Sequence, residues 1–204
     1  GEDLVRAAAA AGWPAVHLLA AAGSGLEGEE VEAALLDGVS SLGSGTRTIG
    51  VYEARWGAPA GPLCVALWGV GDPGNVGAIL RSAVAFGAAS VVLGPGCADP
   101  FGPKAGRASM GAIFGLPVAR ANRIDEAVGE RVALVAGAGE ALAGPAAGEL
   151  TIVVGAERDG LPADVVGACD RVAHIPIASQ SLNAAMAATV ALYELTRPVR
   201  MARA

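Results

Sequence analysis

The hydrophobic and polar positions of the chain fall into two regimes that meet near residue 62. Before it, the apolar runs are short. LVRAAAAA (4–11) predicts a helix ended by Gly12, VHLLA (16–20) a short strand, EEVEAALL (29–36) a second helix, and TIGVYE (48–53) a strand end. ARWGAPAGP (54–62) is rich in Gly, Pro and Ala and predicts a linker. From Leu63 onward, apolar runs of strand length alternate with helical stretches, which is the signature of a parallel sheet covered on both faces. The predicted strands are LCVALWGV (63–70), SVVLG (90–94), LPVAR (116–120), RVALVAG (131–137), TIVVG (151–155) and RVAHIPI (171–177). The predicted helices cover 76–86, 104–113, 124–130 and 181–197. In the first of these, Val76, Ile79, Leu80, Ala83 and Val84 share one face, with Gly87 as the stop.

The pattern therefore predicts an α/β fold, and a length of 204 residues suits one full domain plus a smaller piece. Hydrophobic residues make up 53% and charged residues 17%, which supports a large core and excludes wholesale disorder. Aromatics are only 4%, so that core must be aliphatic, with backbones in close approach. No apolar run reaches the roughly 20 residues of a membrane span, and no secretory signal is visible. Cys64, Cys97 and Cys169 are odd in number and widely spaced, forming neither a disulfide framework nor a metal-binding pair; a cytoplasmic location is expected. The net charge of -6 argues against a nucleic-acid partner. Against that, thirteen of the fourteen basic residues are Arg, the side chain best shaped for phosphate, and several are grouped: Lys104 and Arg107, Arg120 and Arg123, and Arg197, Arg200 and Arg203.

One motif invites a different reading. Gly69, Gly71 and Gly74 spell GxGxxG between a strand and a helix, where a dinucleotide fingerprint belongs. Pro73 removes a backbone donor from that turn, Asn75 is the expected helix cap, and SVVLG ends without the acidic residue that would hold a ribose. A nicotinamide-dependent oxidoreductase remains a rival on this motif alone.

Three further segments carry candidate chemistry. DPGNVGAILRSAVAFGA (72–88) places Asn75 at a helix start and Arg81 within the helix, where Arg81 either pairs on the surface or grips phosphate or a hydroxyl. VVGAERDGLP (153–162) puts Glu157 just past a buried strand, at the sheet edge where ligands of open parallel sheets gather. HIPIASQSLNAAMAATVALYELTR (174–197) runs a strand through a short loop into Ser181, Leu182 and Asn183, both polar residues being good caps for the long helix.

In order, spacing and wording these segments resemble the three signature motifs of the TrmH (SpoU) family of the SPOUT superfamily of RNA methyltransferases. The resemblance spans 63–197 and includes KAGRASMGAIFGLPV (104–118). It implies a parallel-sheet catalytic domain over 63–204 with a C-terminal deep trefoil knot, a linker at 57–62, and over 1–56 the later part of a small ribosomal-protein-like α/β domain that binds RNA. GEDLV resembles the tail of that domain's opening strand, which implies that the front of the domain lies outside this sequence.

By the same resemblance, main-chain groups at Gly155, Ile175 and Leu182 contact S-adenosylmethionine, with Ile177 beside them. Arg81 activates the ribose 2′-hydroxyl, Asn75 and Glu157 fix Arg81 and the ribose, and Ser181 and Asn183 hold the third-motif loop. The implied enzyme is a homodimer that uses no metal and methylates ribosomal RNA in preference to tRNA. A non-catalytic RNA-binding relative is the other alternative. The chain departs from the family in carrying Ile177 where Met is usual, and a loop of only Ala178, Ser179 and Gln180 without glycine.

Overall fold

The structure is a computed structural model and describes residues 1–40 and 44–197. The first part is a helix, α1 (Glu2–Ala10), followed by β1 (His17–Ala21), β2 (Glu29–Val31), α2 (Ala33–Val39) and β3 (Thr48–Val51). Its three strands order as β2-β1-β3, with β2 parallel and β3 antiparallel to β1. Glu2 to Val5 are helical, so GEDLV is not the tail of a strand here.

The stretch 29–36 is also not one helix. Gly28 adopts φ 130, and a Cβ there would lie 2.6 Å from the Leu18 carbonyl oxygen. That close approach lays Glu29–Val31 against β1, and ladder pairing overrides the helical propensity of two glutamates.

The second part has β4 (Leu63–Trp68), α3 (Pro73–Ala85), β5 (Ser90–Leu93), α4 (Pro103–Ser109), α5 (Ala112–Gly115), β6 (Val118–Arg120), β7 (Glu130–Leu134), β8 (Glu140–Ala141), β9 (Leu150–Gly155), α6 (Ala163–Gly167), β10 (Arg171–His174) and α7 (Ala184–Thr196). Among the described residues the strands form one parallel sheet, in the order β6-β5-β4-β9-β7-β10-β8. All six residues of β4 are buried, as a central strand covered on both faces requires. One face packs Val76, Ile79, Leu80 and Ala83 of α3 and Ala188, Ala191 and Leu192 of α7 into the main core. Val84 is 43% exposed and does not join them.

Three boundaries differ from the sequence pattern, each for a local reason. The helix expected over 104–113 breaks at Met110 and Gly111, both left-handed, and a Cβ on Gly111 would meet Ala7 of α1 at 2.5 Å. The helix expected over 124–130 is a single 3₁₀ turn, Ile124–Glu126, because the Glu126 carboxylate folds back to accept the backbone N–H groups of Asn122 and Arg123. α3 starts two residues before Asn75, because Asp72 caps it and Pro73 supplies the preset φ of its first position.

The expected linker is tied down at both ends. The Gly57 N–H donates to the Val118 carbonyl at 2.8 Å, and the Ala60 N–H donates to the Ser90 hydroxyl at 2.8 Å. The three cysteines are free thiols, and no helix among the described residues is long and apolar enough to cross a membrane. Arg200 and Arg203 lie outside the described residues.

Candidate active site

Because every strand of the large sheet runs the same way, all the strand-to-helix loops open at one edge. The three candidate motifs occupy neighbouring loops there, after β4, β9 and β10. Side-chain hydrogen bonds join them. The Asn183 amide donates to Asn75 Oδ1 at 3.1 Å, and the Asn75 amide in turn donates to Glu157 Oε1. These partners are 108 and 82 residues apart in the chain.

Each member of this chain is held by its own element. Asn183 is the N-cap of α7 and accepts the N–H groups of Ala185 and Met186, which fixes its Oδ1 and leaves its amide free to face Asn75. Asn75 sits in the first turn of α3, where Asp72 Oδ1 accepts its backbone N–H at 2.9 Å. The other Asp72 oxygen accepts the Lys104 ammonium at 3.0 Å. Lys104, followed by the Asn75 N–H, holds the Asp72 carboxyl below the usual carboxylate range. Glu157 lies in the tight loop after β9, closed by reciprocal backbone bonds between Ala156 and Gly160. Gly155 permits that closure, since a Cβ there would lie 2.4 Å from the Gly160 backbone.

Beside this chain of amides opens a cavity of about 420 Å³ at the carboxyl ends of β7, β9 and β10. Gly155, Glu157, Ile175, Ile177, Ser181 and Leu182 all line it, so the four expected cofactor contacts are brought together. Leu134, Val135 and Ala136 form a further wall that no motif announced. Their position directly after a parallel strand was the available signal. Ser181 stands before α7 and is not its cap; its carbonyl accepts the Ser179 hydroxyl at 3.3 Å.

Arg81 is exposed on the outer side of α3, and no side-chain hydrogen bond or ion pair joins it to Asn75, Glu157 or any other described residue. It therefore stands apart from the two residues expected to fix it. Across α3 and α7, Ser82 and Thr189 share a hydroxyl hydrogen bond of 2.7 Å, and the rings of Phe86 and Tyr193 meet at 6.2 Å. On the same two helices, Val84, Met186, Val190 and Tyr193 are 41–62% exposed. No cluster of His, Cys, Asp or Glu able to hold a metal ion occurs among the described residues.

A parallel sheet with a cavity at its carboxyl edge, walled by the loop after β10 and the start of α7, has the arrangement in which open α/β domains bind their ligands. Residues 62–193 match the SpoU rRNA Methylase family, and the chain belongs to that family. An uncharacterized tRNA/rRNA methyltransferase of Mycobacterium tuberculosis is 41% identical over 151 residues, covering 69% of this chain and 47% of that protein. The chain thus spans about half the length of the curated relatives it matches. The crystal structure of the SpoU methyltransferase AviRb from Streptomyces viridochromogenes in complex with AdoMet superposes with a TM-score of 0.85 at 27% identity, covering 96% of this chain and 87% of that one. The crystal structure of an RNA 2′-O ribose methyltransferase superposes with a TM-score of 0.75 at 28% identity, covering 96% and 85%.

Proposed function

We propose that this chain methylates a ribose 2′-hydroxyl of RNA, ribosomal RNA before tRNA, with S-adenosylmethionine as donor. The observation that carries this reading is the cavity of about 420 Å³ adjoining the Asn183–Asn75–Glu157 chain. Its volume falls in the range of small-ligand sites, and its walls fit an adenosine: Ile175, Ile177 and Leu182 offer apolar surface, while the loop backbone around Gly155 offers hydrogen-bonding groups. S-adenosylmethionine bound there supplies an electrophilic methyl group on a sulfonium.

The chain's own residues do the rest. Asn183 orients Asn75, and Asn75 orients the Glu157 carboxylate at the cavity rim, where it accepts a hydroxyl of the substrate ribose. The Arg81 guanidinium stabilises the negative charge growing on the 2′-oxygen, whose proton passes to solvent water as the oxygen takes the methyl group and the sulfonium sulfur keeps the electron pair of the broken bond.

Arg81 reaches that oxygen from the partner subunit of a homodimer. The supporting observation is its freedom from internal partners next to the exposed stripe Val84, Met186, Val190 and Tyr193, an apolar face suited to a two-fold interface. The reading includes the C-terminal knot. In its support, β10 inserts between β7 and β8, which are joined by residues 135–139 alone. The next crossing is bonded to α7, with the Ala146 N–H donating to the Leu195 carbonyl at 2.9 Å and the Gly144 N–H donating to Glu194. The small sheet of residues 1–56 serves as an RNA-gripping domain.

Incubating the protein with methyl-labelled S-adenosylmethionine and separated ribosomal and transfer RNAs tests this reading, with nuclease-resistant dinucleotides as the readout. Label in such dinucleotides, lost in Arg81→Ala, is the expected result, and the labelled fraction names the RNA. Donor binding without any transfer to RNA would instead favour a non-catalytic relative. An Arg81→Lys variant that acquires a new ionisation near neutral pH in its rate profile would show Arg81 to be a base rather than a charge stabiliser.

A further inference from the structure

A second hollow, of about 250 Å³, opens on the same sheet edge, at the carboxyl ends of β5 and β6. Trp56, Gly94, Asp99, Arg120 and Asn122 line it. The strand order places the two hollows on either side of β4, which leads into Asp72 and the first turn of α3 with Asn75. Two strand spacings, roughly 10 Å, separate the second hollow from the amide chain.

The walls of this hollow are unusual for the chain. Arg120 lays its guanidinium over the Trp56 ring, 4.0 Å from the centroid, and Trp56 meets Phe101 edge-on at 5.0 Å. Phe101 leads to Trp13, Trp13 to Phe114, and Phe114 to Tyr52, while Arg55 stacks on Trp13 at 4.7 Å. Five of the eight aromatic side chains in the sequence are thus gathered at this one junction. Trp56 nevertheless stays 37% exposed.

Neither Arg55 nor Arg120 has a carboxylate partner among the described residues, whereas Lys104 and Arg123 are neutralised by Asp72 and Asp125. The Asn122 side chain has no hydrogen-bond partner among the described residues, so both its donor and its acceptor are available.

A flat aromatic–guanidinium wall and a free amide are what an unpaired base requires: a stacking plane and a reader for its edge. We infer that the hollow walled by Trp56, Arg120 and Asn122 is a subsite for an unpaired nucleobase of the RNA, adjoining the ribose that reacts. The inference rests on RNA being the substrate class. It assigns the segment between the two sheets a substrate-positioning role in addition to connecting them.

Fluorescence anisotropy of labelled oligoadenylate and oligouridylate, against an abasic oligomer of the same length, tests it on the full chain, with S-adenosylmethionine binding followed in parallel. The wild type is expected to bind at least one base-bearing oligomer about tenfold more tightly than the abasic one, the size of one base–aromatic stack. Trp56→Ala should abolish that difference and leave abasic binding unchanged, whereas Trp56→Phe should keep most of it.

If Trp56→Ala does not fold, Arg120→Ala and Asn122→Ala, both at exposed side chains, decide by the same comparison. Equal binding of all oligomers, or a preference that survives these substitutions, overturns the subsite and makes the stack a structural clasp. Loss of methyl transfer or of donor binding with the base preference intact would count against the enzymatic reading and not against the subsite.

Discussion

Helices α3 and α4 carry glycines whose replacement by alanine should act in opposite directions. At Gly77 an added Cβ would lie 2.4 Å from the Ala105 carbonyl oxygen, 2.6 Å from Ala108 Cβ and 2.9 Å from the Ser109 nitrogen. Two of these atoms are backbone, so the helices must separate by roughly 1 Å to restore ordinary contact. Overpacking of this kind costs about 1–3 kcal/mol, of which helix propensity returns about 1. Gly77→Ala should therefore lose up to about 2 kcal/mol, a fall in Tm of up to about 8 °C for a chain of this size.

At Gly106, one helix away, an added Cβ meets nothing within 4 Å. Gly106→Ala should gain about 0.5–1 kcal/mol by restricting the unfolded chain. Urea unfolding followed by circular dichroism measures both on one scale. A Gly77→Ala protein more stable than the wild type, matching the sign of Gly106→Ala, would refute the account of α3–α4 packing. Because α3 carries Asn75, Gly77→Ala should also weaken donor binding, as the amide is drawn from the cavity rim.

Three other outcomes follow from the site and its supports. Asn183→Ala should cost about 1 kcal/mol in lost capping, whereas Asn183→Asp should keep the cap and the stability; both should lose activity, since neither donates to Asn75, and equal melting of the two variants would contradict the capping role. The Arg131 guanidinium, then its backbone N–H, holds the Asp170 carboxyl down to about 2 from 3.8. A depressed carboxyl stabilises the fold above its unfolded value, so the stability gap between wild type and Asp170→Asn should be full above pH ~4 and close as pH falls toward 2; a gap independent of pH would remove the ion pair from the account. Paired Met186→Glu and Tyr193→Glu substitutions should halve the sedimenting mass, and a wild type already monomeric would sink the dimer reading.

What could be read from the sequence depended on how local its cause was. The strands Leu63–Trp68, Ser90–Leu93 and Leu150–Gly155 were legible because burial on both faces leaves a continuous apolar run. The two residues of β8 were not, since Glu140 and Ala141 are exposed and defined only by pairing with β10. The Asn183 cap was written in its neighbours, while Asn75 lost that role to Asp72 because a proline fits the first helical position. The motifs could be matched to a family by wording, but no periodicity shows that Asn183, Asn75 and Glu157 touch in sequence of one another across the sheet edge. The aromatic junction escaped notice for the same reason, its members being scattered from Trp13 to Phe114.

The cavity is walled by segments running from Leu134 to Ala187, and its closing wall is the loop and helix start after β10. During synthesis, a chain whose residues beyond about 180 are still inside the ribosome has the floor of the pocket and one side, but not the wall containing Leu182. Such a nascent chain cannot gain the stabilisation that a bound small molecule confers on a finished pocket. The pocket's capacity to hold a small molecule therefore depends on α7 having emerged and docked.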